Sequence, residues 1–597
     1  MAKRPDQPKI ADVKQGLATA DDVRFTRRWW EVDKNLFAKS REETFQGKKW
    51  VPFAKGEEYA RYYADVSLVV NWERDGEEIK RYIVERYSYL QGKWEWVIKN
   101  ETFYFREGLT WQYVNTYTWL TRTRYLPKGC IFGHSGNSIF VNNPENLFSI
   151  LAFENSSLKA FLIGLMTNQR RYEVSMIASM PMAFQVLKDE RLTTLSRQAH
   201  DILREWDTGN EISTVFIKPW LAQVAFGWNP DNKPQTGHPF AEQFEWTDWE
   251  ILKEIRKIHG GPDMPLKELA RLVLKREDKL IKRLAEIQSE IDEIVYGLYE
   301  ISAEDRALIE RELRRMQGVT SSDVGTEIPP EIRRLFPPLK SPVPVDEEQR
   351  IQEHVRRLLS WYIKRVITED EDGIVPLNKT FKDNLYDQVV ALIEREWGEK
   401  RAQKMLDEIY EILGKTLEDW LFEDYFDYHR ELYKNRPIFW LIGAFNRRNV
   451  PFGCFVNFHK LTADTIHKIR TYYLMKVRKE TQIELDNRMN EYSSMNENEK
   501  RSRKGKRIAK EIDRLRENLR CLEELDEKLK NLTKPLEKPK VPKENASWLE
   551  QKIYEVRVNG YRPVLDYGVL VNITPLKEAK VLHKAAERVK CPKNVKH

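Results

Sequence analysis

Hydrophobic and polar positions change rhythm several times along this chain, and each change marks an element. Residues 1–45 are dense in charge, with Phe25 followed by Arg27, Arg28, Trp29 and Trp30, and read as a helical segment. From Trp50 to Val141 short β-branched and aromatic runs predict strands, because such side chains pack well on a pleated surface. VSLVVNW (66–72) is one such run. Asp75-Gly76 then reads as a hairpin turn into a second strand, IKRYIVERY (79–87). TFYF (102–105), the Thr- and Tyr-rich stretch 113–125, CIF (130–132) and SIFV (138–141) continue the series, with Pro127 and Gly129 marking a turn.

Helical spacing follows. LKAFLIGLM (158–166) predicts a buried helix, and the Trp-rich region up to residue 275 predicts mixed helix and strand. Leu280, Leu284, Ile287, Ile291, Ile294 and Leu298 form a heptad seam, and Ile508, Ile512, Leu515, Leu519 and Leu522 form a second. The two stripes are expected to pair as antiparallel helices, with each other or with a partner's. The alternative is two ordinary bundle helices. Residues 318–350 and 533–545 are rich in Pro and read as linkers.

The expected fold class is α+β and multidomain: a β-rich module followed by helical domains with long heptad helices. The expected organisation is a helical docking segment (1–45), a β-rich recognition module (46–155) and a mixed α/β continuation (156–275). A long helical spacer (276–317), a linker (318–350) and a helical and mixed domain (351–480) come next. A basic heptad helix (481–532) and a linker with a C-terminal tail (533–597) complete it.

Composition refines this picture. A chain of 597 residues with 41% hydrophobic and 11% aromatic content can bury several cores. The net charge is only +7, from 100 basic and 93 acidic residues, so any polyanion must be met by local patches. Cys130, Cys454, Cys521 and Cys591 are far apart, which fits a reducing compartment and neither a disulfide framework nor a zinc site. No signal-type or membrane-length apolar stretch occurs, so a cytoplasmic protein without a membrane partner is expected.

Between Lys55 and Arg124 basic and aromatic residues interleave: Lys55, Tyr59, Arg61, Arg106, Trp111, Arg122 and Arg124. Phosphates need surface Lys or Arg, and base edges need side chains with donors and acceptors, for which Thr110, Tyr113, Asn115 and Thr116 are candidates. Tyr59, Phe105 and Trp111 also fit a packing role. A second candidate is the basic run Lys500, Arg501, Arg503, Lys504, Lys506 and Arg507, as a backbone clamp or a solvated helix end. Arg170 and Arg171 are a third. Pro262-Asp263 with Glu277-Asp278-Lys279 imitates a nuclease pattern, but its second half lies on a helix instead of an adjacent strand, so no metal is expected there. His429, His459 and His467 lack metal-ligand spacing, and Ser135 lacks a nucleophile elbow.

Several segments, in order, resemble the C-terminal half of PglX-type adenine-specific DNA methyltransferases of BREX phage-defence systems, and related enzymes of DISARM and fused restriction–modification systems. They are DVKQGLATADDVRF (12–25, with Ala20 where the pattern has Gly), WVPFAKGEEYARYYAD (50–65), FYFREGLTW (103–111) and YLPKGCIF (125–132). EIDEIVYGLYEISAEDRALIE (290–310), RPIFWL (436–441) and YRPVLDYGVLVNITPL (561–576) complete the set. The resemblance implies target recognition and a helical spacer. Its catalytic half would carry an Asn/Asp-Pro-Pro-Tyr/Phe tetrad and a Gly-rich turn for S-adenosylmethionine. Here the only Pro-Pro pairs, Pro329-Pro330 and Pro337-Pro338, follow Ile328 and Phe336, which offer no polar group to adenine. With Met1 in front, the expectation is the specificity subunit of a split enzyme, not catalytic alone. It would bind double-stranded DNA and a catalytic subunit holding S-adenosylmethionine, beside other defence proteins, and bind no cofactor itself. The alternatives are a methyltransferase or restriction enzyme with degenerate motifs, a structural or RNA-binding component, or a gene fragment.

Overall fold

The computed structural model describes residues 9–56, 60–114, 122–167, 171–317, 346–446 and 450–590. It is mixed α+β and multidomain, with two compact units, Met1–Leu358 and Leu359–His597.

The first unit opens with two four-stranded sheets. One has the order β1 (Ala11–Lys14), β8 (Ser138–Val141), β5 (Gly108–Trp111), β6 (Thr123–Leu126). The other has β2 (Thr26–Arg28), β4 (Leu68–Asn71), β3 (Trp50–Ala54), β7 (Ile131–Phe132), with β3 and β7 parallel. Their shared core includes Phe25, Val51, Phe53, Val70, Trp72, Leu126, Phe132 and Phe140.

Residues 11–28 are therefore not a helical segment. Beyond one helical turn, Asp22–Phe25, they supply β1 and β2, because β1 pairs antiparallel with β8 and β2 with β4. IKRYIVERY is also corrected: it lies in helix Glu73–Arg86, where Ile79 and Ile83, one turn apart, are both fully buried. Asp75-Gly76 opens that helix with positive φ, and a Cβ on Gly76 would stand 2.8 Å from the Trp72 ring. TFYF forms a 3-10 turn, Glu101–Phe103, followed by Tyr104 and Phe105 outside any strand.

Residues 156–275 contain helices and, among the described residues, no strand. The Trp side chains serve helix packing, with Trp206 and Trp220 stacked at 4.7 Å. LKAFLIGLM lies in helix Ser157–Met166, but only its Leu158, Lys159, Ala160 and Ile163 are buried, while Leu165 and Met166 are exposed. The preceding helix Leu147–Glu154 is wholly buried and packs on helix Glu190–Asp207.

The first seam lies on helix Leu266–Leu298, which packs on helices Glu190–Asp207 and Trp220–Phe226. Gln288 on this helix accepts hydrogen bonds from Arg61 and Tyr62, and Asp292 accepts from the amide and hydroxyl of Ser157, which fixes it to the β-module. The second seam lies on helix Arg503–Thr533, folded back on helix Met475–Ser493 with Leu485 against Ile508, Ile512 and Leu515. Arg478–Glu523 and Arg488–Glu511 ion pairs, at 2.9 and 3.2 Å, show the two helices to be antiparallel. Each seam is thus covered inside its own unit, as in ordinary bundle helices.

In the second unit β10 (Phe439–Ala444), β11 (Phe452–Asn457) and β9 (Ile374–Pro376) form an antiparallel sheet. The C-terminal stretch is folded: after helices Trp548–Val558 and Gly568–Glu578, the chain lies along β10, where Gly443 N–H donates to Val581 and His583 N–H to Leu441. Of the expected 318–350 linker, 318–345 lies outside the described residues, and its last positions belong to helix Glu347–Glu369. Among the described residues no single helix is long and apolar enough to cross a membrane.

Candidate nucleic-acid interface

The site is built around the loop after β7, residues 133–136. This loop is clamped between the ends of β1 and β3: His134 N–H donates to Leu17 O at 2.8 Å, and Gly133 N–H to Ala54 O at 2.9 Å. The approach is close enough that a Cβ on Gly136 would lie 2.5 Å from Ala54 O, and one on Gly56 2.2 Å from Ser135 O. Side chains from three segments distant in sequence converge here. Lys99 donates to Gln15 Oε1 at 2.9 Å, and Asn100 donates to the Gln15 carbonyl at 2.8 Å. Because Lys99 can only donate, Gln15 turns its amide nitrogen to His134 Nδ1, a long contact of 3.4 Å. With Nδ1 as the acceptor in that contact, the neutral ring carries its proton on Nε2 and can offer it to an incoming acceptor.

Tyr113 lies edge-on to His134 with ring centroids 5.6 Å apart, and its hydroxyl donates to Glu173 at 2.6 Å. Val114 bridges the backbone of the exposed Arg171. Lys55 packs its stem near Gly133 and pairs with Asp22. Burial, then the charges of Lys99 and Lys55, lower the His134 pKa below its ordinary value, so the ring is neutral at pH 7. The bond to Glu173 raises the Tyr113 pKa and keeps the phenol protonated. The patch therefore presents cations, an amide pair and a neutral imidazole, the inventory for phosphate oxygens and base edges.

Of the residues gathered here, the sequence pattern marked Lys55, Tyr113 and Arg171 as candidates for DNA contact; Gln15, Lys99, Asn100 and His134 it did not. The one available signal was the GHSGNS loop, whose glycines mark close backbone approach. Tyr59, Asn115, Thr116 and Arg170 lie outside the described residues. Thr110, Trp111, Arg122 and Arg124 are corrected, because their side chains are buried. Thr110 donates to Gly136 and Asn137 carbonyls, and Trp111 Nε1 to Tyr172 O, so these two serve the module's interior. Arg61 is committed to Gln288. Arg106 remains at the surface, sharing the Phe103 ring with Lys14, each 4.9 Å from its centroid.

The second basic cluster sits at the corner before helix Arg503–Thr533, where Gly505 allows close approach to Lys500 O. The fold brings carboxylates to half of it: Lys500 pairs with Glu497, Lys504 with Glu491, and Arg507 with Glu511. Arg501, Arg503 and Lys506 stay exposed. Glu277 of the nuclease-like pattern is buried and bound to His354 at 2.8 Å and to Arg350. His429 is buried and accepts from Phe439 N–H at 3.1 Å. Among the described residues no group of His, Cys, Asp or Glu is placed to hold a metal ion.

No known protein-family profile matches the chain. Two comparisons define its class as related to adenine-specific methyltransferases. The chain is 24% identical over 497 residues, 79% of its length, to the adenine-specific methyltransferase BrxX of Escherichia coli O9:H4 (strain HS). It is 22% identical over 548 residues, 88% of its length, to the adenine-specific methyltransferase PglX of Lacticaseibacillus casei (strain Zhang). These stretches are 37% and 40% of the two relatives, so the chain spans about two fifths of the proteins it matches. Homology to this group, at low identity and over most of the chain, is established.

Proposed function

We propose that this chain is the DNA-recognition part of an adenine-N6 methyltransferase of a phage-defence system, with the methyl transfer performed by a catalytic part that these 597 residues do not carry. The observation that carries it is the convergence of Gln15, Lys55, Lys99, Tyr113, His134 and Arg171 on one surface of the β-module. The homology covers most of this chain, while the sequence offers no polar residue before either Pro-Pro pair. S-adenosylmethionine belongs, in this reading, to that catalytic part, which flips the adenine while the residues described here grip the duplex. The exposed Arg501, Arg503 and Lys506 add a sequence-independent backbone contact.

Fluorescence anisotropy with labelled duplexes over a salt series tests this. Lys99→Ala and Arg171→Ala are each expected to reduce the slope of log affinity against log salt by about one, the signature of a lost phosphate contact. Salt-insensitive binding, or variants indistinguishable from the parent chain, would contradict it.

A further inference from the structure

The segment after helix Glu73–Arg86 belongs to none of the contacts described so far. It makes two 3-10 turns, Ser88–Leu90 and Trp94–Trp96, joined by Gln91 and Gly92 with φ of 48° and 84°. Its anchors are firm: Leu90 and Ile98 are buried in the module's core, and Trp94 donates to Glu101 at 3.2 Å. Tyr89 and Trp96 are nonetheless left 70% and 65% exposed. A large aromatic held in water on an anchored turn contributes little to the fold and presents a flat face to a ligand.

Trp96 also lines a wide-open surface cavity together with Glu95, Lys99 and Asn100. Lys99 gives one hydrogen bond to Gln15, so its ammonium keeps two donors for a phosphate. Asn100 uses its amide nitrogen on the Gln15 carbonyl, which leaves its side-chain oxygen as an acceptor. Glu95 is a second acceptor and repels phosphate, so it sets the orientation of the ligand.

We propose that this cavity is a nucleobase site: Trp96 stacks on an unpaired base of the bound DNA, Asn100 and Glu95 accept from its exocyclic amino group, and Lys99 holds its phosphate. The site is contiguous with the recognition surface through Gln15, and the inference rests on the DNA-recognition reading above. Adenine, cytosine and guanine carry an exocyclic amino group; thymine does not.

The test uses the full chain and labelled duplexes that are fully paired or carry one bulged dA or one bulged dT. The expected result is tighter binding to the dA bulge than to the dT bulge. Trp96→Ala should cost about 5- to 100-fold on the dA bulge, as loss of one base–aromatic stack does, with Trp96→Phe restoring most of it. Fully paired duplex should bind Trp96→Ala nearly as well as the parent chain, which also shows that the variant is folded. If both bulges and the paired duplex bind parent and Trp96→Ala equally, the base site is wrong while DNA recognition stands. If the parent chain binds no DNA at all, the recognition reading itself fails, and this inference with it.

Discussion

His134 is neutral at pH 7 because burial and the neighbouring Lys99 and Lys55 charges disfavour its protonated form. Docked phosphates act in the opposite direction and raise its pKa, so binding takes up a proton. Affinity must then increase as pH falls, by up to about tenfold per unit for one proton. Anisotropy at constant ionic strength between pH 7.5 and 5.5 should show this rise, and His134→Gln should flatten it; identical pH slopes would remove His134 from the interface. The same surface shows what interleaved charge and aromaticity cannot reveal. Thr110, Trp111, Arg122 and Arg124 fit the expected composition of a DNA contact but are buried: Thr110 and Trp111 lie on the wholly buried β5, Arg124 on the adjacent β6, and Arg122 just before it. Lys55, Tyr113 and Arg171, which the fold brings to this surface, stood out as candidates in the sequence because they are basic or aromatic residues beside expected strands and turns. Gln15 and Lys99 did not, since nothing local announces that a strand end and a 3-10 turn will meet.

Helix Leu266–Leu298 depends on more than its apolar stripe. Glu277 lies on it, buried, and burial alone would raise its pKa, yet His354 and Arg350 together hold it below the usual value. Truncating one member of such a buried cluster strands the others without a counter-charge. Glu277→Ala should therefore cost about 3–5 kcal/mol, whereas Asp278→Ala, on an exposed neighbour, should stay within about 0.5 kcal/mol. Denaturant midpoints distinguish these outcomes, and equal shifts would show that the cluster is not structural. Both heptad seams were visible as spacing, but spacing states only that a stripe is covered, not by what; each is covered by helices of its own unit. Residues 79–87 were misread because Ile79 and Ile83 satisfy alternation and helical spacing alike, and the fold uses the second. β1 escaped notice for another reason: its partner β8 is remote in sequence, so a charged tetrapeptide carries no local strand signal.

The first unit holds a β-module with a polar, basic face and the second carries a cationic corner on its helices, in a chain whose net charge is only +7. The α+β architecture was readable because strand-type and helix-type rhythms occupy different stretches of the chain. Its relation to adenine-specific methyltransferases was readable through ordered resemblances that the two methyltransferase similarities support at low identity. In the proposed reading the residues of the basic face contribute contact surface to the duplex on which the methyl transfer acts. The most direct test is sequencing of N6-methyladenine in genomic DNA from cells with this gene intact, deleted, or carrying Gln15→Ala, Lys99→Ala and His134→Ala together. The account predicts a methylated motif that disappears on deletion and is strongly reduced in the triple variant. The same motif, methylated to the same extent without the gene, would contradict it.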